Sequence, residues 1–231
     1  MAETAVEEKK SVFSFGKAER KLLTDPLNDN NPITVQVLGI CSALAVTTLL
    51  NKAIVMAIAV VFVTTFANLI TSLLRKYIPK QVRMIVQLIV IAFLVTVVEL
   101  TLKAVNYPIY KELSVFIGLI ITNCIVMGRL EAFAMANDPW KSTIDGFGNG
   151  IGYGVILIAV AAIREFFGKG SLLNYKIIGT TEEYLLDTSS IWLLGWYEPN
   201  NLMVLFPSAM FVIGILIWIQ RAWNKKLVDI S

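Results

Sequence analysis

The chain has 231 residues, of which 56% are hydrophobic and 16% charged, and its mean hydropathy is +0.69. Soluble domains average roughly 45–50% apolar and about 25% charged residues, so the composition excludes a soluble globular fold and points to an all-α, polytopic membrane protein. The net charge of +3 calls for no nucleic-acid partner, and the absence of histidine removes imidazole-ligated haem, Rieske centres, His-based zinc sites and Ser-His-Asp catalysis.

Residues 1–31 read as a polar cytoplasmic tail. Glu3, Glu7, Glu8, Lys9, Lys10, Lys17, Glu19, Arg20 and Lys21 mix both signs, unlike a signal peptide, which has a basic start and an apolar core. A single membrane domain over 32–224 follows, with six predicted spans at 33–50, 53–74, 84–102, 113–128, 146–163 and 203–220, and a short cytoplasmic tail over 225–231. Asn51 and Lys52 are expected to form a tight connection between the first two spans. The long segment 168–202 is expected on the outer surface, as a tolerated loop or a functional lid, with Trp192, Trp196 and Tyr197 at the headgroup level. Trp140, Trp218 and Trp223 read as further interface anchors. With these spans, the tails and even-numbered loops hold 14 of the 20 Lys and Arg residues and the odd loops, Arg164 among them, hold six. The positive-inside rule then puts both termini in the cytoplasm.

The two cysteines, Cys41 in "ITVQVLGICSALAVTTLL" and Cys124 in "IGLIITNCIVMGRLEAFAM", stand 83 positions apart. Superposing them aligns a polar lead-in, a short apolar segment, the cysteine and a longer helix. Three helices per half is an odd number, so the second half enters from the opposite side, an inverted 3+3 repeat with its site near the midplane on discontinuous helices. Segment lengths agree. At 1.5 Å per residue, 33–50 reaches about 27 Å and 113–128 about 24 Å, short of a ~30 Å hydrocarbon core. Both are interrupted, by Gln36, Gly39 and Ser42 in one and by Gly118, Thr122 and Asn123 in the other. Two thiols are half of the usual four-thiolate set of an iron–sulfur cluster. The alternatives are that each cysteine is a small buried hydrophobe or that the two form a disulfide, for which a cytoplasmic membrane offers little reason.

The glycines of "DGFGNGIGYG" do not fit a dinucleotide-binding loop. Gly146, Gly150 and Gly154 line one helical face and Gly148 and Gly152 another, the small-xxx-small pattern of close helix packing. Glu99 and Lys103 are spaced as an i, i+4 ion pair; a bare Glu99 would suggest an ion path. Asn68, Gln87, Thr64 and Thr65 suit a cation route or interhelical hydrogen bonds.

These segments, together with "NDNNPITVQVLGICSALAVTT", "STIDGFGNGIGYGVIL", "IREFFGKGSL" and "GWYEPNNLMVLFPSAMFVIGILIWIQR", resemble the D subunits of bacterial sodium-translocating NADH:quinone oxidoreductases over about residues 28–221. The E subunits of Rnf ferredoxin:NAD oxidoreductases are paralogous by the same resemblance and share the "NNP" and "TNC" motifs. Rnf E subunits carry Pro-Leu after the first cysteine where this chain has Ser42-Ala43. The resemblance implies six helices in an inverted repeat and pairing with the homologous E subunit in opposite orientation. It also implies a [2Fe-2S] cluster between the two proteins, with Cys41 and Cys124 as this chain's iron ligands and no catalytic residue of its own. FAD, FMN, riboflavin and quinone are expected in other subunits of the complex, which oxidises NADH, reduces quinone and exports sodium across the bacterial inner membrane. Burying an anionic cluster costs on the order of several kcal/mol. Backbone N–H groups at broken helix ends would offset part of that, and Ser42 and Asn123 are placed to donate to sulfur. The competing readings are an Rnf-type E subunit and, from another class, a secondary ion transporter with inert cysteines.

Overall fold

A computed structural model describes residues 17–27, 30–79, 81–169, 171–172, 175–176 and 205–223. The regular elements described are helical apart from two paired two-residue strands. Its helices are α1 (Lys17–Thr24), α2 (Ile40–Val46), α3 (Leu50–Leu74), α4 (Arg83–Val105), α5 (Tyr107–Ile121), α6 (Cys124–Arg129), α7 (Pro139–Lys169) and α8 (Phe206–Trp223). A 3₁₀ turn over Asp25–Leu27 follows α1, and a π turn over Leu130–Ala134 follows α6. Strands Ser171–Leu172 and Tyr175–Lys176 pair antiparallel.

Among the described residues, four segments are long and apolar enough to cross a membrane: Leu50–Leu74, Arg83–Val105, Leu113–Ala134 and Pro139–Gly168. The third runs through α5, a break at Thr122–Asn123, α6 and the π turn. α8 is a shorter apolar helix whose Trp218 and Trp223 are largely exposed.

α3 and α7 form the centre of the bundle, and glycine spacing explains their close approach. A Cβ on Gly150 would lie 2.9 Å from Val61 Cα, and one on Gly154 would lie 3.2 Å from Ala57 Cβ. A Cβ on Gly146 would meet Thr64 O at 2.9 Å. The second glycine face holds the N-terminal segment instead. Cβ atoms on Gly148 and Gly152 would meet Leu22 O at 2.9 Å and Pro26 O at 2.5 Å. Residues 17–27, read from sequence as part of a solvated tail, thus lie along α7.

Several boundaries differ from the expected ones. Asn51 and Lys52 sit inside α3, and the chain reverses earlier, at Thr47–Leu49. The expected span 33–50 contains the seven helical residues of α2 and, at its last position, the first residue of α3. α7 begins at Pro139, seven residues before the apolar run, where protein satisfies several polar groups of its first turns. Asn68 Nδ2 donates to Ser142 O at 3.1 Å, Thr64 Oγ1 to Gly146 O at 3.2 Å, and Arg129 pairs with Asp145. Backbone and side-chain polar groups at that depth are tolerated where protein satisfies them.

Glu99 and Lys103 meet through a third residue. Tyr110 O–H donates to Glu99 Oε1 at 3.0 Å, and Lys103 Nζ lies 5.8 Å from the Tyr110 ring centroid. Of the loop 168–202, Gly168, Lys169 and the hairpin strands are described; Trp192, Trp196 and Tyr197 lie outside the described residues.

Candidate functional site

Both cysteines stand at the start of a short helix, and the two starts face each other. The first is built by local chemistry. Asn31 precedes Pro32, which disfavours helix at that position. The Asn31 side chain closes an Asx-type turn, with Oδ1 accepting Ile33 N–H at 3.0 Å and Thr34 N–H at 3.4 Å. Its Nδ2 donates to Gly152 O of α7 at 3.1 Å, which ties the turn to the bundle. The chain then passes through Val37 at φ 58° and Gly39 at φ 82° before α2 begins. Gly39 needs its missing side chain twice over. Its backbone is left-handed, and a Cβ there would come within 2.7 Å of Tyr153 Cε2.

The second break is capped by its own asparagine. α5 stops at Thr122, and Asn123 Oδ1 accepts Ile125 N–H at 3.4 Å across the first turn of α6, a standard N-cap arrangement. Cys124 is the first residue of α6 and Cys41 the second of α2.

The breaks are joined by hydrogen bonds. Gly39 N–H donates to Cys124 Sγ at 2.9 Å. Ser42 Oγ donates to Gly39 O at 2.9 Å, and Asn123 Nδ2 donates to Ser42 Oγ at 3.2 Å. Tyr153 O–H lies 2.7 Å from the same Ser42 oxygen. Ser42, Asn123 and Tyr153 are buried, whereas Cys41 and Cys124 are both exposed. The thiols are therefore presented outward from a buried polar frame. The exposure departs from the buried-hydrophobe reading of the cysteines, and the structure has both as free thiols. Among the described residues, no group of three or more His, Cys, Asp or Glu side chains is placed to hold a metal.

Of the sequence-derived residues, Ser42 and Asn123 are brought together beside Cys124, but not as the donors to sulfur expected of them. Ser42 Oγ gives its proton to Gly39 O and Asn123 Nδ2 donates to Ser42 Oγ, while the backbone N–H of Gly39 donates to Cys124 Sγ. Asn68 and Thr64 serve the α3–α7 contact, and Thr65 Oγ1 donates to Val61 O of its own helix at 2.7 Å. Gln87 Nε2 donates to Glu131 Oε2 at 3.1 Å, beside an Arg83–Glu131 ion pair. Three features escaped the sequence reading: Tyr153, the Arg129–Asp145 pair, and the buried Arg164 and Glu165. Arg164, expected in a loop, is only 1% exposed within α7. Ionisable residues in apolar surroundings are the signal that would have found the charged ones. A tyrosine between two glycines carries no such mark.

The fold and site define a multi-pass helical membrane protein that displays two thiols at paired helix breaks. The family profile described as "Rnf-Nqr subunit, membrane protein" matches residues 20–217, and the chain belongs to that family. It is 53% identical over 217 residues to the D subunit of the Na(+)-translocating NADH-quinone reductase of Shewanella putrefaciens and 52% identical to that of Shewanella baltica. In both alignments 94% of this chain and 99% of the relative are covered.

Proposed function

We propose that this chain is the D subunit of a sodium-translocating NADH:quinone reductase of the bacterial inner membrane. Cys41 and Cys124 supply two of the four thiolates of a [2Fe-2S] cluster, and the homologous E subunit supplies the other pair. The observation that carries this reading is the pair of exposed thiols at facing helix starts, joined by the bond from Gly39 N–H to Cys124 Sγ. The donor set fits half of such a cluster: two thiols are available, they face outward where a partner can complete the set, and a backbone donor already lies on one sulfur. Once bound, the cluster supplies one-electron transfer at a depth that water does not reach.

This chain's residues hold and orient. The N-terminal ends of α2 and α6 carry the partial positive charge of the helix dipole, which favours anionic sulfur. Ser42 and Asn123 keep the two ends in register. The chain has no catalytic residue of its own, and FAD, FMN, riboflavin and quinone belong to other subunits. The two interrupted segments, the turn leading into α2 and the α5–α6 break, support an inverted 3+3 arrangement of six membrane helices over 32–224. Both termini are cytoplasmic on the charge distribution. Labelling of a cysteine introduced at Ser231 from the outer side would reverse that orientation.

The identity to the D subunits and the Ser42-Ala43 pair favour this assignment over an Rnf-type E subunit. A secondary ion transporter with inert thiols would contain no iron. Iron analysis and EPR of the reduced complex separate the readings. Cys41→Ala and Cys124→Ala are each expected to lose the intramembrane cluster and NADH-to-quinone electron flow. Full iron content and sodium-pumping turnover in either variant would show that the ligand assignment is wrong.

A further inference from the structure

One side chain of α7 stands between the two helix breaks. Tyr153 is completely buried, flanked in sequence by Gly152 and Gly154. Its ring occupies the space a side chain on Gly39 would need, with Cε2 2.7 Å and Cδ2 3.2 Å from the position of that Cβ. The same position is 3.5 Å from Asn123 Oδ1, so ring, glycine and asparagine meet at one point.

The hydroxyl adds a direction to this contact. Ser42 has one proton, which it gives to Gly39 O at 2.9 Å. Its oxygen therefore accepts, from Asn123 Nδ2 at 3.2 Å and from Tyr153 O–H at 2.7 Å. The chain of bonds runs from Tyr153 through Ser42 to the carbonyl of Gly39, the residue whose N–H rests on Cys124 Sγ. A phenylalanine would fill the same volume. It would leave the Ser42 oxygen held by Asn123 alone, and the Gly39 peptide would lose its link to α7 through that hydroxyl.

We propose that Tyr153 is the positioning residue of the two-thiol site: its ring sets the spacing of the two helix starts, and its hydroxyl, through Ser42, holds the Gly39 N–H on Cys124 Sγ. The positioning itself involves this chain alone. Its consequence for a bound cluster rests on Cys41 and Cys124 being shared ligands.

The test uses Tyr153→Phe, which removes only the hydroxyl, and Ser42→Ala, which breaks the same relay without touching α7. Amide hydrogen exchange of the full chain in detergent is expected to quicken about tenfold at residues 39–42 and 123–127 in both variants. Exchange in α4 should stay as in the parent. Unchanged exchange at the breaks, or a uniform rise through α3, α4 and α7, would overturn the proposal. Should Tyr153→Phe fail to fold, Ser42→Ala decides alone by the same two outcomes. In the assembled complex, Tyr153→Phe is expected to shift the g-values of the reduced iron–sulfur signal, or to lose iron from a complex that still assembles. Parental iron content with parental g-values would refute the functional half. If the cysteine variants keep their iron, the ligand reading fails, and exchange in the isolated chain still decides the role of Tyr153.

Discussion

Glu165 of α7 accepts the backbone N–H of Leu50 at 2.5 Å, 115 positions away. The residue before it, Arg164, donates to Thr47 Oγ1 at 2.5 Å, to Leu44 O at 3.4 Å and to Leu205 O at 3.1 Å. Adjacent residues of opposite charge thus hold opposite helix ends, the cation at the C-terminus of α2 and the anion at the N-terminus of α3. Each sign complements the partial charge of the end it meets. This clamp lets the chain reverse within Thr47–Leu49, just beyond the half-helix that carries Cys41. Glu165→Ala leaves the Leu50 amide without its acceptor, at an expected loss of about 1–3 kcal/mol. Thermal unfolding of the full chain in detergent should show a lower midpoint, with Glu165→Gln recovering part of the difference because it keeps an oxygen acceptor. A parental midpoint for Glu165→Ala would mean that the clamp is unimportant for stability.

The glycine face of α7 makes a sharper stability prediction. An alanine at Gly150 would press its methyl to 2.9 Å from both Val61 Cα and Thr64 Oγ1, and backbone cannot yield as a flexible side chain would. The expected loss is about 1–3 kcal/mol, the usual range for overpacking. Gly214 in α8 has nothing within 4 Å of a built Cβ, so Gly214→Ala is expected to be neutral or slightly stabilising, alanine being the better helix former. Equal midpoints for the two variants would contradict the packing described for α3 and α7.

The turn before α2 holds two left-handed residues that should respond in opposite directions. Gly39→Ala meets both the unfavourable φ and the Tyr153 ring, and is expected to destabilise by at least the ~1–2 kcal/mol of the left-handed backbone alone. Val37 is a β-branched residue at φ 58° and about half exposed, at 53%. Val37→Gly should relieve strain while giving up little burial. Melting curves that rank Val37→Gly above the parent and Gly39→Ala below it would agree with this geometry, and the reverse order would not.

Because the described residues offer no third ligand to join the two thiols, the isolated chain is expected to insert in the membrane without an iron–sulfur EPR signal. Co-expression with the homologous E subunit, under conditions that support cluster assembly, should restore the signal. A stoichiometric [2Fe-2S] centre in a preparation proven monomeric would break the shared-ligand proposal. The oligomeric state must be measured on the same sample, since a homodimer also brings four cysteines.

Hydropathy is additive along a chain, so the sequence alone determined the membrane class, the long apolar segments and the two thiols within them. Short-range spacing carried almost as far. Glycines four apart marked two packing faces of α7. Small or polar residues within each short apolar run, Gln36, Gly39 and Ser42 in one and Gly118, Thr122 and Asn123 in the other, marked two interrupted segments. Tertiary structure decided what each face meets: Gly146, Gly150 and Gly154 receive α3, whereas Gly148 and Gly152 receive the N-terminal segment. It also moved the start of α7 back to Pro139 and the first reversal from Asn51–Lys52 to Thr47–Leu49. In both places polar groups that look like a loop in sequence are satisfied by partners far along the chain, Asn68 with Ser142 and Arg164 with Thr47. Tyr153 is the extreme case, since its neighbours in sequence say nothing of Ser42 and Gly39, 111 and 114 positions away. A buried polar group is stable only when paired, and pairing at that separation depends on which helices pack together, which no local property of the sequence encodes.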